Sequence, residues 1–381
     1  MQMTPARRKP GQGTRATTAV AFAGVVLSLT AVFTFGLLLA KSGGSAGTTA
    51  DWLINYAGGP IRRGLIGAAL MMVTQTSASL LLATLLVQVA ALGVIGWASL
   101  TLFLGTSRSP AWLMLLLSPA FTLFPVLNLH GGMRKEILAL AALALLAIRV
   151  RYNRFGLLLW MTPVVFAIAA FSHELTVLML PPFLYLLWRG VRDESLSRTA
   201  GQVVGGILLT TALSAAVFSV VAPGTVAQAT SICASWASSG ISDRLCFGSL
   251  SHIGESPADA MALVSTVAPS ATTYLLPLLL SLVPLIAIRP PRPYLALVGF
   301  TYLALAPLFI VGIDYGRWIY VATASLSLVA LATSRAGHFR PVRVPGWGAA
   351  VFIVSWSVPY TFGTSSSLVQ LALEASAAVR G

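Results

Sequence analysis

The stretch TAVAFAGVVLSLTAVFTFGLLLA, residues 18–40, contains no charged residue. A helix rises about 1.5 Å per residue, so ~20 apolar residues cross the ~30 Å hydrocarbon core of a bilayer. Residues 79–104 form a second run of the same kind. These two runs predict membrane-spanning helices, and they set the class of protein expected for the rest of the chain.

Further apolar runs continue along the chain and give about eleven candidate spans in all. They are residues 18–40, 79–104, 110–128, 136–150, 156–171, 175–188, 201–222, 270–288, 294–312, 319–334 and 346–362. Ser172-His173-Glu174 separates two of the shorter runs, and we interpret it as the tip of a tight hairpin. The predicted fold is all-α, a polytopic transmembrane helix bundle.

The composition agrees with this fold class. Of the 381 residues, 57% are hydrophobic and 9% are charged, against about 25% charged residues in an average soluble domain. So few charges exclude a soluble enzyme, a nucleic-acid-binding domain and a disordered chain. The net charge of +14 is interpreted as cytoplasmic loops that anchor helices, with no nucleic-acid partner.

The distribution of cations predicts an orientation. With the N-terminus inside, the inner segments hold sixteen of the 24 Lys and Arg residues and the outer segments hold eight, as the positive-inside rule requires. We expect a basic cytoplasmic tail 1–17, a single transmembrane domain 18–362 with outer loops 41–78 and 223–269, and an extracytoplasmic tail 363–381. The preference for Arg over Lys indicates a GC-rich bacterial genome and hence the bacterial inner membrane.

The acids then gather on the outer side. Eight of the ten Asp and Glu residues lie in outer segments, although acids contribute little to topology. In the first outer loop, Asp51 is a candidate general base or metal ligand, and Arg62 and Arg63 suit a phosphate. The same loop carries Asn55 and Tyr56. The alternative is an interfacial loop anchored by its aromatic residues. Residues 64–78 predict a short amphipathic helix on the membrane.

Two further outer clusters carry cations. His130-Gly131-Gly132-Met133-Arg134-Lys135-Glu136 predicts a lipid phosphate or pyrophosphate site, or else a local ion cluster of Arg134 and Lys135 with Glu136. Ile313-Asp314-Tyr315-Gly316-Arg317-Trp318 predicts an ion pair between Asp314 and Arg317 at positions i and i+3. The alternative there is Arg317 on a donor phosphate with Asp314 orienting it.

The hairpin tip supplies one more carboxylate. Glu174 is expected to pair with Arg134 or Arg317, or to serve as a second catalytic carboxylate, because an unpaired acid at the membrane is costly. The alternative is a structural salt bridge. His173 is interpreted as a hydrogen-bonding residue more readily than as a catalyst.

Cys233 and Cys246 are the two cysteines of the chain, and both lie in the long outer loop. On the oxidising side of a membrane they predict a disulfide. They make a poor zinc set without a His pair nearby. The sequence contains neither a P-loop nor GxGxxG, so ATP and NAD are not expected. We therefore expect no cofactor and leave a divalent cation open.

The layout resembles the GT-C superfamily of membrane glycosyltransferases, and more loosely the membrane polysaccharide polymerases. The resemblance rests on Asp51 directly after the first span, on the amphipathic segment at about residues 64–76, and on about eleven spans with polar residues outside. In that superfamily the first-loop carboxylate is the catalytic base, and basic residues hold the phosphate of a polyprenyl-linked sugar. The resemblance thus implies Asp51 as base. Trp52 stands where a second acid is usual.

The expected function is an inverting membrane glycosyltransferase. It would transfer a hexosyl or pentosyl group from a polyprenyl-phosphate donor to a cell-envelope glycan or lipid acceptor, among membrane lipids. Alternatives are a transporter or flippase of a lipid-linked or anionic substrate, a polysaccharide polymerase and a non-catalytic scaffold. The candidate residues are Asp51 and Glu174 for catalysis, Arg62, Arg63, Arg134, Lys135 and Arg317 for phosphate, and Asn55, Tyr56, His130, His173 and Asp314 in support.

Overall fold

The computed structural model describes residues 12–74, 76–153, 155–267, 272–334, 339–360 and 367–370. All regular structure within these ranges is helical, as the apolar runs predict. The expected basic tail 1–17 lies outside the described residues up to residue 11. The expected tail 363–381 lies outside them apart from residues 367–370.

The helices follow the predicted runs in order. In the first half they are α1 (Gln12–Lys41), α2 (Thr48–Leu53), α3 (Leu65–Val73), α4 (Ser77–Leu104), α5 (Pro110–Leu116), α6 (Phe124–Leu127), α7 (Leu129–Gly132), α8 (Glu136–Arg151) and α9 (Gly156–Ser172). In the second half they are α10 (Leu175–Leu178), α11 (Leu180–Arg192), α12 (Arg198–Val221), α13 (Val226–Ser238), a 3₁₀ helix (Asp243–Phe247), α14 (Pro257–Val267), α15 (Leu275–Ala287), α16 (Arg292–Leu305), α17 (Leu308–Val311), α18 (Tyr315–Thr333) and α19 (Gly346–Val354).

Four helical segments of the described chain are long and apolar enough to cross a membrane. They are Thr14–Lys41, Ser77–Leu104, Arg198–Val221 and Arg292–Val311. The chain is therefore a helical protein with membrane-spanning character. Two shorter apolar helices, Gly156–Ser172 and Thr272–Ala287, accompany them.

Several predicted runs are not continuous helices, and two of them are interrupted near prolines. The run 110–128 is divided, because α5 ends just before Ser118-Pro119 and Pro125 lies in the first turn of α6. The run 346–362 ends early, since α19 stops at Val354 ahead of Pro359. The residue before a proline is disfavoured in helical conformation, and proline lacks the amide hydrogen that a helix interior needs.

Helices α8 and α18 form the centre of the bundle. Every residue of both is buried, and α8 packs against α18, α4, α9 and α11. The sequence of α8 alternates small Ala with Leu, and small residues let helix backbones approach closely in membrane proteins. The N-terminal ends of these two helices lie together, which positions the site described below.

A second, smaller core lies beside that end of the bundle. It consists of apolar residues from the first outer loop, from the start of α4 and from the long loop that follows α12: Ala50, Leu53, Ile54, Ile61, Leu70, Leu80, Leu81, Ile232, Trp236, Ile241, Leu245, Leu250 and Ile253. The Trp236 indole N–H donates to the carbonyl of Leu53 at 3.0 Å. We call this unit the outer lobe. The predicted disulfide between Cys233 and Cys246 is confirmed, and it joins α13 to the 3₁₀ helix within the lobe.

Candidate functional site

Charged side chains from several separate segments meet at the N-terminal ends of α8 and α18. Five cations and four carboxylates gather there around one imidazole. We call this set the charged cluster: Asp51, Arg62, Arg63, Arg134, Lys135, Glu136, His173, Glu174, Asp314 and Arg317. Most of these side chains were predicted as separate outer constellations, and the fold brings all of them together.

A buried ion pair ties the two central helices together at this end. Glu136 is the first residue of α8, and Arg317 lies in the first turn of α18. The Arg317 guanidinium donates to Glu136 and also to Asp314. Glu136 is 2% exposed and Arg317 is 5% exposed. The predicted Asp314–Arg317 pair is confirmed. The predicted local pairing of Glu136 with its neighbours Arg134 and Lys135 is wrong, because packing of α18 against α8 brings Arg317 to it instead.

His173 completes this part of the cluster in a defined protonation state. The backbone N–H of Leu175 donates to His173 Nδ1 at 3.2 Å, so Nε2 carries the proton and donates to Glu136 Oε1 at 3.2 Å. Burial lowers the pKa of His173 to about 4, even though Glu174 raises it. The imidazole is therefore neutral at pH 7 and serves as a hydrogen-bonding residue, in line with its interpretation from sequence.

Arg63 and Glu174 form the second ion pair of the cluster. Arg63 Nε lies 2.9 and 2.8 Å from the two carboxylate oxygens of Glu174, and Nη2 contacts Oε1 as well. Arg62 Nη1 lies 3.7 Å from the same carboxylate. Burial favours the neutral acid, but the charge of Arg63, the hydrogen bonds it donates and the charge of Arg62 together outweigh burial and hold the pKa of Glu174 well below its usual range. The predicted pairing of Glu174 with Arg134 or Arg317 is wrong.

The backbone at Arg63 is also unusual. Its φ is +70°, a left-handed conformation that costs a non-glycine residue about 1–3 kcal/mol and persists only where surrounding contacts enforce it. Two such contacts are present: the Glu174 pair, and a hydrogen bond from Lys135 Nζ to the Arg63 carbonyl at 2.7 Å. The first outer loop is thus fastened both to the hairpin tip and to the segment before α8.

Arg134 and Lys135 carry charge that the fold does not neutralise by direct pairing. Arg134 Nη1 donates to Ser249 Oγ at 2.7 Å, and Nη2 donates to the Tyr360 hydroxyl. Lys135 is fully buried. Burial lowers its pKa to about 8, opposed by the charge of Asp51. No carboxylate of the described residues forms an ion pair with either side chain.

Asp51 is a buried carboxylate that interacts electrostatically with these two cations. It lies in α2 and is 1% exposed, and its Oδ2 has no hydrogen-bond partner within the described ranges. Burial by itself would raise the pKa of Asp51. The charges of Lys135 and Arg134 outweigh that effect and lower it to about 2. Among the residues that the structure describes, the site therefore holds an ionised carboxylate with an oxygen available, beside two cations that pair with no carboxylate.

Neighbouring hydrogen bonds hold these groups in position. Trp52 Nε1 and Gln88 Nε2 both donate to the carbonyl of Met133, at 2.8 and 3.0 Å. Met133 directly precedes Arg134, so α2 and α4 both fix the start of the cationic segment. Trp52 is fully buried in this role, which disagrees with the alternative of an interfacial loop anchored by its aromatic residues.

The predicted supporting residues lie around the charged cluster, and they organise loops. Asn55 Nδ2 donates to Ser235 Oγ at 3.1 Å, and Asn55 Oδ1 accepts from its own loop. The Tyr56 ring packs on Gly64, where a Cβ would lie 2.3 Å from the ring. His130 Nδ1 is 3.4 Å from the hydroxyl of Thr48.

Several residues that the fold brings to the cluster carried no usable signal in the sequence. They are Gln88, Ser249 and Tyr360, which lie far from the clusters along the chain, and Glu136, which was noted only as a local partner. Among the described residues, no group of three or more His, Cys, Asp or Glu side chains is arranged to hold a metal ion.

Comparison of the chain with protein-family models, curated proteins and solved structures found no match.

Proposed function

We propose that the protein is a membrane glycosyltransferase that uses a polyprenyl-phosphate-linked sugar as donor. The observation that carries the proposal is the buried Asp51 carboxylate beside Arg134 and Lys135. Within the described part of the chain, Asp51 Oδ2 has no hydrogen-bond partner, and neither cation forms an ion pair with a carboxylate. A lipid-phosphate sugar needs cations for its phosphate and a carboxylate for the acceptor hydroxyl. An inverting transfer needs a single base, because the phosphate leaves with little acid assistance.

Four cations of the charged cluster fall into two groups. Arg134 and Lys135 hold the donor phosphate, since they have charge to spare. Arg317 is already engaged by Glu136 and Asp314, and Arg63 is engaged by Glu174. We therefore give Arg317, Glu136, Arg63 and Glu174 the role of positioning residues. Glu174 is a weak base while Arg63 holds it.

Binding of the phosphate also activates the base. A general base works best when its pKa lies near the working pH, and Asp51 alone is far below that. The cations that lower its pKa are those that bind the phosphate. A bound phosphate cancels their charge, so the pKa of Asp51 rises as the donor enters. Deprotonation of the acceptor is thereby coupled to donor binding.

We further place the chain in the bacterial inner membrane with about eleven spans, a GT-C-like layout, the N-terminus inside and the C-terminus outside. Support comes from the correspondence between the eleven apolar runs and described helices, and from the uneven distribution of Lys and Arg. In this orientation the charged cluster faces the extracytoplasmic side, where polyprenyl-linked donors replace soluble nucleotide sugars.

The test is sugar transfer from a polyprenyl-phosphate donor by membranes that carry Asp51→Asn. This change keeps the shape and removes the basicity, so turnover should fall by about 10²–10⁴, the usual contribution of general acid-base catalysis. Donor binding should be retained or strengthened, because the change removes a negative charge near the phosphate. The matched control is Asp243→Asn, an exposed acid of the outer lobe, which should transfer sugar normally. Full activity in Asp51→Asn together with an inactive Glu174→Gln would assign the base to Glu174.

A transporter or flippase of an anionic lipid-linked substrate is the second candidate. Two ion pairs favour it, Arg63–Glu174 and Arg317–Glu136, because each joins separate elements around buried charge. Ionisable residues inside membrane proteins mark substrate pathways. A lipid-linked substrate that still crosses the membrane, with transfer unaffected by Asp51→Asn, would favour this candidate. A polysaccharide polymerase would use the same base and phosphate site.

A further inference from the structure

Two short segments of the same sequence pattern meet at one end of the bundle. The first is Arg289-Pro290-Pro291-Arg292, which joins α15 to α16, and the second is Arg340-Pro341-Val342-Arg343, which precedes α19. Each has the form Arg-Pro-x-Arg. The backbone N–H of Val342 donates to the carbonyl of Ala287 at 2.9 Å, so the two segments lie next to each other. We call their four arginines the arginine patch: Arg289, Arg292, Arg340 and Arg343.

The arginine patch lies away from the charged cluster, toward the other end of α18. Arg317 of the cluster is in the first turn of α18, and Leu326 lies about 14 Å further along that helix at 1.5 Å per residue. The Tyr294 hydroxyl, at the start of α16, donates to the carbonyl of Leu326 at 2.8 Å. The Phe339 ring, next to Arg340 in sequence, lies 5.6 Å from the Tyr294 ring. Both segments are therefore at the end of the bundle opposite the charged cluster.

The surroundings of the arginine patch are those of a membrane boundary. The apolar helix Thr272–Ala287 ends just before the first segment, and the candidate span Arg292–Val311 begins within it. Ile286 and Leu295, on these two helices, are exposed, as side chains that face lipid are. Trp347, shortly after the second segment, is also exposed, and tryptophan is enriched where a membrane meets water. The patch thus combines exposed cations with exposed apolar side chains.

The charge of the arginine patch is not neutralised by direct pairing. All four of its side chains are exposed, and within the described ranges none of them forms an ion pair with a carboxylate. Like charges held in one region repel one another. A guanidinium binds phosphate oxygens two at a time through its planar fork. The patch therefore favours a phosphate-bearing anion.

Prolines fix the shape of both segments before a ligand binds. Each proline holds its own φ near −65° and restricts the residue before it, and Arg289, which precedes Pro290, has a left-handed φ of +45°. The chain of the second segment is restricted in the same way by Pro341 and Pro345. A preorganised backbone loses less conformational entropy on binding, so the segments are suited to a ligand and not only to solvent.

We propose that the arginine patch binds the phosphate headgroup of an anionic phospholipid, with the lipid chains along the exposed apolar side chains of α15 and α16. A group of four or more basic residues directly beside a span is typical of such binding. The neighbouring Ile286, Leu295 and Trp347 favour a lipid over a polyanion in solution. In the proposed orientation the patch faces the cytoplasm, where the membrane surface is negative. The site is separate from the charged cluster and does not depend on sugar transfer.

The first test removes half of the arginine patch. Arg340→Gln with Arg343→Gln should weaken binding of a fluorescent phosphatidylglycerol to the detergent-solubilised protein by about 30-fold, the loss expected for two arginines at an anionic membrane surface. Binding of the matching phosphatidylcholine, whose headgroup has no net charge, should be weak and should not change. Equal binding of the two lipids to the unaltered protein would overturn the proposal.

The matched control removes the same charge from a different place. Arg192→Gln with Arg198→Gln also replaces two exposed arginines, but Asp193 and Glu194 lie between them in the sequence and offset their charge. This double variant should bind phosphatidylglycerol almost as the unaltered protein does. Equal losses in the two double variants would show an effect of net charge alone and would overturn the arginine patch as a site.

The second test uses the unaltered protein, so it stands even if a double variant fails to fold. A phosphatidylglycerol with a photoreactive headgroup should label peptides containing residues 286–295 and 339–347, and about 0.5 M NaCl should reduce the labelling, because salt screens exposed charges. An excess of unlabelled phosphatidylglycerol should prevent labelling, and phosphatidylcholine should not. Labelling spread over other peptides, or equal competition by a short DNA duplex, would refute a lipid site at the patch.

Discussion

The ion pair between Glu136 and Arg317 gives the sharpest test of how the bundle is held together. Both side chains are buried, and they join the first turns of the two central helices. Glu136→Gln keeps the size and the hydrogen bond that His173 donates, but it removes the charge. Arg317 then keeps only Asp314, whose side chain is 26% exposed.

The expected loss is large. Removing one partner of a buried ion pair costs about 3–5 kcal/mol, because the remaining charge stays in a medium that solvates it poorly. We expect about 3 kcal/mol for Glu136→Gln, the lower end, since Asp314 still compensates Arg317. The control is Glu255→Gln, which removes the contact between Glu255 and His252, whose side chains are 40% and 57% exposed. Exposed pairs contribute about 0–1 kcal/mol, so this variant should match the unaltered protein.

The assay is reversible unfolding in detergent micelles, with the free energy of unfolding taken from the denaturant midpoint. Replacing both partners, as Glu136→Leu with Arg317→Met, should recover much of the loss, because a buried pair exchanged for apolar residues is often neutral. Equal stability of Glu136→Gln and Glu255→Gln, or a double variant less stable than the sum of its single variants, would refute this account.

Two further predictions concern pH and orientation. The folded-state pKa of His173 is about 4, below its ordinary value of 6.5, so its contribution is fully present above pH 6.5 and is lost as the pH falls through 4. At 1.36 kcal/mol per pKa unit this amounts to about 3 kcal/mol. The free energy of unfolding should fall by that amount between pH 7 and pH 4, and this fall should be absent in His173→Gln. If the fall is unchanged in that variant, His173 is not the titrating group. For orientation, a reporter fused at Ser195 should read cytoplasmic, and an external reading would remove the hairpin at His173 from the topology.

Local features of the chain were predictable because their partners are near in sequence. The apolar runs become helices, since a helix satisfies its own backbone groups and a membrane offers no water to do so. Helix α9 ends at Ser172, where the sequence predicts an interruption between two runs, and Asp314 pairs with Arg317 at i and i+3. The two cysteines of the chain form a disulfide with each other.

The interruptions in the runs were also present in the sequence. Pro119, Pro125 and Pro359 stand where predicted spans break or stop. The mean hydropathy of a run does not reveal these prolines, since a single proline leaves a long run apolar on average. Its effect acts on the backbone, through a missing amide hydrogen and a restricted preceding residue.

The sequence by itself determined the helical membrane class, the order of the helices and the set of charges at one end. Only the tertiary structure decided which charged side chains pair. Arg317 pairs with Glu136, which is 181 positions away in the sequence, and Arg63 pairs with Glu174, which is 111 positions away. Five cations and four carboxylates allow many pairings of similar chemistry, and Coulomb attraction depends on distance, which the packing of α8, α18 and the first outer loop sets. The same packing leaves Arg134, Lys135 and Asp51 outside those pairs.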